Sequence, residues 1–387
     1  MRKLFAAALA FALCSSLFTA CGGPSGPEGS GGETSGTIYI ASANPMTGDS
    51  AQYGDCKVKA IELALKEVND AGGINGQKLE LLVGDDTGNP TEAPNVAQKF
   101  ATDDRVLAVI GHWNSSCTLA AREIYNDAGI PVITDSVNKT ITDGSCKTMF
   151  RISLTDTEQA TLLADYAYNV MNVRKAGIMY TANDFGTGLQ SDFSTAFTAL
   201  GGTITTTETY FEGQTKDFSA QLTKIKQTEP ELLFVAGYYT ECALIAQQRL
   251  TANMDIPILG TDGISSEALI ELGGDAVEGV TFGGFFHPDL EYAGTAEFVQ
   301  AYRDAYGKDP DTYAALAYDS AKLIIEGIRA NGATRDGIQK YLQDVENFPG
   351  VAGPVSFDEN GAASRNVVVL VVEDGKICLA ENQPGGN

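Results

Sequence analysis

The sequence predicts an α/β protein of two lobes, each built on a parallel-sheet core covered by helices. Three observations predict it. Short β-branched runs alternate with amphipathic stretches of helical length along most of the chain. The alternation pauses and restarts near Met149–Ile152, so each block of roughly 150 residues carries its own strands, an ordinary domain size. After the second block come three helical stretches in a row and a β-rich tail, which continued strand–helix alternation does not explain. The economical path sends the chain back to the first lobe and then across to the second again.

Thr37 to Ser42 reads as the first strand, and Ala51 to Ala71 as a long helix with Val58, Ile61, Leu65 and Val68 at three-to-four spacing. Gly72-Gly73 stops it. Strand Lys78–Gly84, helix Thr91–Asp103, strand Val106–Ile110, helix Leu119–Asp127 and strand Ile130–Thr134 follow. The second block alternates helix Glu158–Met171, strand Ala176–Tyr180, helix Leu189–Leu200, strand Thr203–Tyr210, helix Phe218–Gln227, strand Leu232–Ala236 and helix Glu241–Leu250. It ends with strands Ile256–Leu259 and Val280–Phe286. Helices Thr295–Tyr306, Tyr313–Ala330 and Thr334–Asp344 precede the tail Val355–Leu379, whose turn signals are Asn360-Gly361 and Asp374-Gly375. In parallel sheets of this kind ligands bind beyond the carboxyl ends of the strands.

At the N-terminus Arg2 and Lys3 precede an apolar run, Leu4 to Leu13, too short to span a bilayer permanently, and small residues up to Ala20; residues 1–20 read as an export signal. Leu17-Phe18-Thr19-Ala20-Cys21 resembles a bacterial lipoprotein box, which implies lipidation of Cys21; Phe18 departs from the small or aliphatic residue usual there. Residues 21–36, rich in Gly, Ser and Pro, read as a flexible tether from that anchor. The expected location is extracytoplasmic, at the cell membrane through the lipid alone. The formal charge is −24, and removing residues 1–20 takes away two basic residues and no acid, leaving −26. That balance argues against nucleic acid or anionic lipid surfaces as partners. Five cysteines remain after Cys14 and Cys21 are set aside, so at most two disulfides form; Cys117–Cys146 is the favoured pair and Cys56–Cys117 its rival. No Cys/His spacing suggests a metal, and no cofactor is implied.

The stretch Gly111-His112-Trp113-Asn114-Ser115-Ser116-Cys117-Thr118 lies where a buried strand hands over to a helix. The free N–H groups and positive dipole end of such a helix attract a carboxylate or phosphate. On local chemistry alone, Ser115 or Ser116 acting as a simple helix cap is the competing role.

Met46-Thr47-Gly48 with Ala51-Gln52-Tyr53-Gly54-Asp55 resembles the opening loop of the type I periplasmic binding proteins for branched-chain amino acids. The ordered matches continue through Asn69–Gly76, Asp85-Asp86 with Pro90, Gly111 with Ser115-Ser116, and Asp184-Phe185-Gly186. They end with Lys216-Asp217-Phe218, Gly237-Tyr238, Asp262-Gly263, Tyr318-Asp319, and Gly353-Pro354 with Phe357-Asp358. The resemblance covers nearly the whole mature chain. It implies two Rossmann-like lobes, 37–153 with 287–353 and 154–286 with 354–387, joined by crossovers near Ile152–Asp156, Gly284–His287 and Val351–Phe357. It further implies a monomeric capture subunit, not an enzyme, that closes by hinge motion on an amino acid or related small molecule for an ABC permease. A ligand sensor that reports closure to a signalling receptor is the alternative.

By the same resemblance Ser115 and the Ser116 region bind the ligand carboxylate, Ser136 and Asn138 complete that side, and Asp262 takes the ammonium group; Asn114 is a further ligand-binding residue, placed with Trp113 where ligand identity is decided. Tyr238 supplies a hydroxyl or ring contact, and Tyr53, Trp113, Phe185 and Tyr313 surround the side chain. Three positions depart from the pattern. Trp113, the single tryptophan, stands where a smaller residue is expected and either shrinks the pocket or stacks on a planar ligand. Asn138 replaces a common threonine. Asp135 either faces the cleft, favouring a polar or cationic ligand, or turns outward. Asp262 has a helix cap before Ile264-Ser265-Ser266 as its competing role. Enzyme signatures are weak: Gly186-Thr187-Gly188-Leu189-Gln190-Ser191 misses a dinucleotide loop by its last glycine, and His112 is too near Cys117 in sequence to align as its base.

Overall fold

The first strand, β1 (Thr37–Asn44), is buried without a break from Ile40 onward, the mark of a parallel strand covered on both faces. The computed structural model describes residues 36–383, so the export signal, Cys21 and all but the last residue of the tether lie outside the described residues. After β1 come α1 (Ala51–Asp70), β2 (Lys78–Asp85), α2 (Ala93–Ala101), β3 (Val106–Gly111), α3 (Ser115–Asp127), β4 (Val132–Thr134) and β5 (Met149–Arg151). Their strands form one parallel sheet in the order β2-β1-β3-β4-β5. Gly111 ends β3 at φ +136, and a Cβ there would meet the Ala43 carbonyl oxygen at 1.9 Å, so only glycine lets β3 approach β1 this closely.

The second sheet is built from α4 (Asp156–Asp165), β6 (Lys175–Thr181), α5 (Asp184–Ala199), β7 (Thr203–Tyr210), α6 (Ser219–Lys226), β8 (Leu232–Ala236), α7 (Tyr239–Thr251), β9 (Ile258–Gly260), α8 (Glu267–Gly273) and β10 (Thr281–Gly284). Helix α4 starts two residues before its expected position because Thr155 and Glu158 form a capping box, and residues 166–170 continue it with π spacing. Helix α8 has no counterpart in the sequence reading. At seven residues, capped by Ser266, it is too short to show a helical period. The centre of this sheet is apolar: all five residues of β8 are buried, and Phe234 stacks on Phe193 at 3.8 Å.

The chain then returns to the first sheet. Helices α9 (Thr295–Tyr306), α10 (Thr312–Asn331) and α11 (Arg335–Asp344) follow, with α10 packed between α1 and α11. Tyr318 donates its hydroxyl to the Glu67 carboxylate of α1 at 2.8 Å. Arg335 donates to the carbonyls of Val106, Ala128 and Asp103, tying α11 to the foot of β3. A short hairpin, β11 (Phe348–Gly350) and β12 (Gly353–Val355), leads back to the second sheet, where β13 (Val368–Glu373) and β14 (Lys376–Leu379) add an antiparallel edge. The full order there is β14-β13-β10-β9-β8-β6-β7. The β13–β14 turn is Asp374-Gly375, both at positive φ, as the Asp-Gly signal requires.

The proposed disulfide does not form. Cys56, Cys117, Cys146, Cys242 and Cys378 are all free thiols. Cys117 is fully buried, whereas Cys146 directs its thiol to the exposed Glu123 carboxylate at 3.3 Å. Proximity to one strand was not sufficient to bring the two sulfurs together.

Candidate ligand-binding site

The loops at the carboxyl ends of β1, β3 and β4 face those after β6, β8 and β9, and six aromatic rings meet between them. Tyr53, on the first turn of α1, stacks on Trp113 with centroids 3.7 Å apart and planes 17° from parallel. Tyr313 stands edge-on to both at 5.1 and 5.6 Å. From the other side Tyr238 lies 4.9 Å from Trp113 and stacks on Phe185, and Tyr239 lies 5.1 Å from Tyr53. All six are buried. Tyr53 also donates its hydroxyl to the carbonyl of Gly263.

Asp262 lies beside this cluster and is fully enclosed. Its Oδ1 accepts from Gln159 Nε2 at 2.9 Å, its Oδ2 accepts from the Tyr313 hydroxyl at 3.3 Å, and its own N–H donates to Gln159 Oε1 at 3.2 Å. Burial pushes its carboxyl up to about 7 against the pull of those hydrogen bonds, and the charge of Asp135 adds to the rise. Its side chain caps no helix: residues 262–264 form a short 3₁₀ turn, and Ser266 caps α8.

On the opposite side Asn114, not a serine, occupies the N-cap position of α3, and its side chain makes no cap hydrogen bond; Nδ2 reaches the Tyr238 hydroxyl at 3.4 Å. The first α3 backbone bond is Thr118 N–H to Asn114 carbonyl, so the N–H groups of the preceding turn have no helical acceptor. Ser115 is buried beside them and its Oγ accepts from the Asn138 N–H at 3.4 Å.

The other polar residues expected here are engaged elsewhere. Ser136 Oγ donates to the Trp113 carbonyl at 2.8 Å and pairs with Thr118 Oγ1 at 2.7 Å, which shapes the 112–114 turn from behind. Ser116 and Asn138 reach across to the second half: Ser116 Oγ donates to Asp184 Oδ2 at 2.6 Å and accepts from the Asp184 N–H, and Asn138 Nδ2 donates to the Asp184 carbonyl at 3.2 Å. Further contacts across the cleft join Ser50 to Glu212 at 3.0 Å, Asp49 to Lys216 at 3.2 Å and Lys139 to Asp192 at 2.8 Å. Glu212 is pushed up to about 7 by burial and by the charge of Glu241.

Asp135 does not turn outward. It is buried and pairs through Oδ1 with Lys57 Nζ at 2.6 Å. Burial raises its pKa while Lys57 pulls it down. The sequence reading missed Lys57, although its place on the buried stripe of α1, one turn after Tyr53, was visible: Lys57 falls among Ala60, Ile61, Ala64 and Val68. Gln159, Glu212 and Asn183, whose Nδ2 donates to the Glu212 carboxylate at 3.3 Å and to the Tyr238 hydroxyl at 3.1 Å, were missed too, because each acts through a partner distant in sequence. His112 holds Asp86 at 2.5 Å and Tyr125 at 3.0 Å in a buried structural triad, and burial drives the Cys117 thiol well up. A separate cavity of about 610 Å³, lined by Gln52, Ser265, Phe286, Tyr302 and Asp311 among others, contains none of the expected site residues.

The profile of the family described as periplasmic binding protein matches residues 37–376. A Leu/Ile/Val-binding protein homolog of Brucella abortus is 33% identical over 339 residues, covering 86% of this chain and 89% of that protein. A leucine-binding protein of Thermotoga maritima has the same fold at TM-score 0.83 and 31% identity, covering 89% of this chain and 98% of that one. A branched-chain amino acid transporter substrate-binding protein of Streptococcus pneumoniae, solved in complex with isoleucine, gives 0.84 at 30% identity, covering 90% of this chain and 100% of that one. The two-sheet fold, crossed three times by the chain, superposes on these solved proteins at TM-scores of 0.83 and 0.84, and the chain belongs to the periplasmic binding protein family, with the type I fold of ABC-transporter substrate-binding proteins.

Proposed function

We propose that the protein captures an α-amino acid between two lobes, 37–153 with 287–353 and 154–286 with 354–387, and presents the closed form to an ABC permease. The observation that carries this reading is the polarity of the cleft. Uncommitted N–H donors at the start of α3 lie on one side, the enclosed Asp262 carboxyl on the other, and aromatic rings between. The α3 N–H groups and Ser115 hold the carboxylate, Asp262 pairs with the ammonium group, and Tyr238 and Asn114 bridge the two ends. Tyr53, Trp113, Phe185 and Tyr313 enclose the side chain. Ser116 and Asn138 act in closure through Asp184, and the crossovers near 152–156, 284–287 and 351–357 serve as the hinge. The protein binds its cargo as a monomer without turning it over, and Cys21 carries the lipid anchor.

Thermal melting across a panel of α-amino acids tests the reading. A cognate ligand at a hundredfold excess over its Kd adds about 2.7 kcal/mol of stability. Stabilisation only by ligands without an amine would remove the role given to Asp262. Release of a Cys21→Ser variant from the membrane fraction tests the anchor, and its retention there would refute it.

A further inference from the structure

Lys57 and Asp135 form an ion pair with each side chain only 2% exposed, beside the aromatic cluster. Helical spacing puts Lys57 on the same face of α1 as Tyr53, and Asp135 immediately precedes Ser136, whose hydroxyl holds the Trp113 carbonyl at 2.8 Å. The charge of Asp135 reaches both the Asp262 carboxyl and the Tyr313 hydroxyl. Yet only Oδ1 of Asp135 is satisfied: Oδ2 is buried with no hydrogen-bond partner among the described residues. A buried carboxylate oxygen without a donor is costly, and buried groups of this kind are nearly always paired with protein, water or a bound group.

We propose that the Lys57–Asp135 pair is a side-chain subsite that takes a neutral hydrogen-bonding group, best a carboxamide, which donates N–H to Asp135 Oδ2 and accepts from the Lys57 ammonium. The pair as a whole carries no net charge. A cationic side chain would meet Lys57 and an anionic one Asp135, whereas an amide complements both. This rests on the amino-acid reading above and names the ligand as an α-amino acid with an amide side chain in preference to an aliphatic one of the same size.

Titration calorimetry of the purified protein with asparagine, glutamine and leucine tests it, since asparagine and leucine are nearly isosteric. The amide ligand is expected to bind tighter than leucine by on the order of tenfold or more, because leucine leaves the buried oxygen unpaired. In a Lys57→Met/Asp135→Leu double variant that preference should vanish or invert, with leucine binding retained. Leucine binding as tightly as the amides to the unaltered protein, or an unchanged ratio in a folded double variant, overturns the subsite and leaves the amino-acid reading standing. Binding of none of the α-amino acids overturns both.

Discussion

Two buried ion pairs in this protein look alike in composition and differ in how fully their carboxylates are satisfied. Arg365 and Asp319 meet at 3.1 Å with side chains 1% exposed, and Asp319 also accepts from the N–H groups of Val351 and Ala352 at 2.7 and 3.3 Å. Arg365 returns a bond to the Ala352 carbonyl at 3.0 Å. Both oxygens of Asp319 are occupied, and the result is a clamp on the segment between α10 and β13. Lys57 and Asp135 lie closer together, at 2.6 Å, but Asp135 keeps one oxygen unpaired. A saturated carboxylate fixes a chain path, whereas an unsaturated one beside a cleft leaves capacity for a ligand.

The largest expected effect separates the two pairs directly. Asp319→Ala strands Arg365 in the interior and should cost about 3–5 kcal/mol in urea unfolding, while the affinity ratio between ligands stays fixed. Lys57→Met should cost a similar amount near pH 8 and less near pH 5. Asp135 then loses the charge that lowers its pKa, so the fold keeps a proton that the unfolded chain releases, and stability falls as pH rises. A loss independent of pH would show that Asp135 finds another partner.

The next effect concerns Asp262, whose carboxyl lies near 7 in the ligand-free protein. Only its ionised form pairs with an ammonium group. Affinity for an α-amino acid should therefore be level above about pH 7 and fall by up to roughly tenfold per unit below it. The ligand-free fold should respond with the opposite sign: a raised carboxyl contributes stability below the unfolded value near 3.8 that is lost as pH rises through 7. Calorimetry and melting curves from pH 5 to 8 measure both. An Asp262→Asn variant should abolish the first dependence, and its persistence would move the titration to Glu212, which lies in the same range.

The smallest effect distinguishes neighbours. Ser115→Ala should weaken binding by roughly 1–3 kcal/mol, the loss of a hydrogen bond to a charged group, whereas Ser116→Ala removes only a contact across the cleft rim and should cost about 1 kcal/mol or less. Equal losses measured by calorimetry would mean that both serines touch ligand.

The helices and strands were legible because a buried parallel strand such as Leu232–Ala236 and an amphipathic helix such as Thr295–Tyr306 advertise themselves locally. The family resemblance implied that Tyr53, Trp113, Tyr238, Asp262 and Tyr313 lie around one cleft, Trp113 as a departure from the family pattern, and the structure gathers these five side chains together. Partner choice was not legible. Nothing near Asp135 in sequence announces Lys57, 78 residues earlier, and nothing near Ser116 announces Asp184. Both depend on tertiary packing, Lys57–Asp135 within the first lobe and Ser116–Asp184 between the two, which local periodicity does not encode. Helix α8 escaped for the opposite reason, being too short to have a period at all.

The Lys139–Asp192 pair at the edge of the cleft has a consequence of its own. Lys139 is 53% exposed and Asp192 15%, so their contact lies on the outer seam, where an ion pair contributes about 0–1 kcal/mol and parts easily. Weakness is useful at such a place. Under the proposed closure, a docking partner that straddles the seam meets a continuous ledge when the halves touch and two separated edges when they do not. On that proposal, occupancy is written on the outside of the molecule in a form that can be read and erased without breaking anything strong.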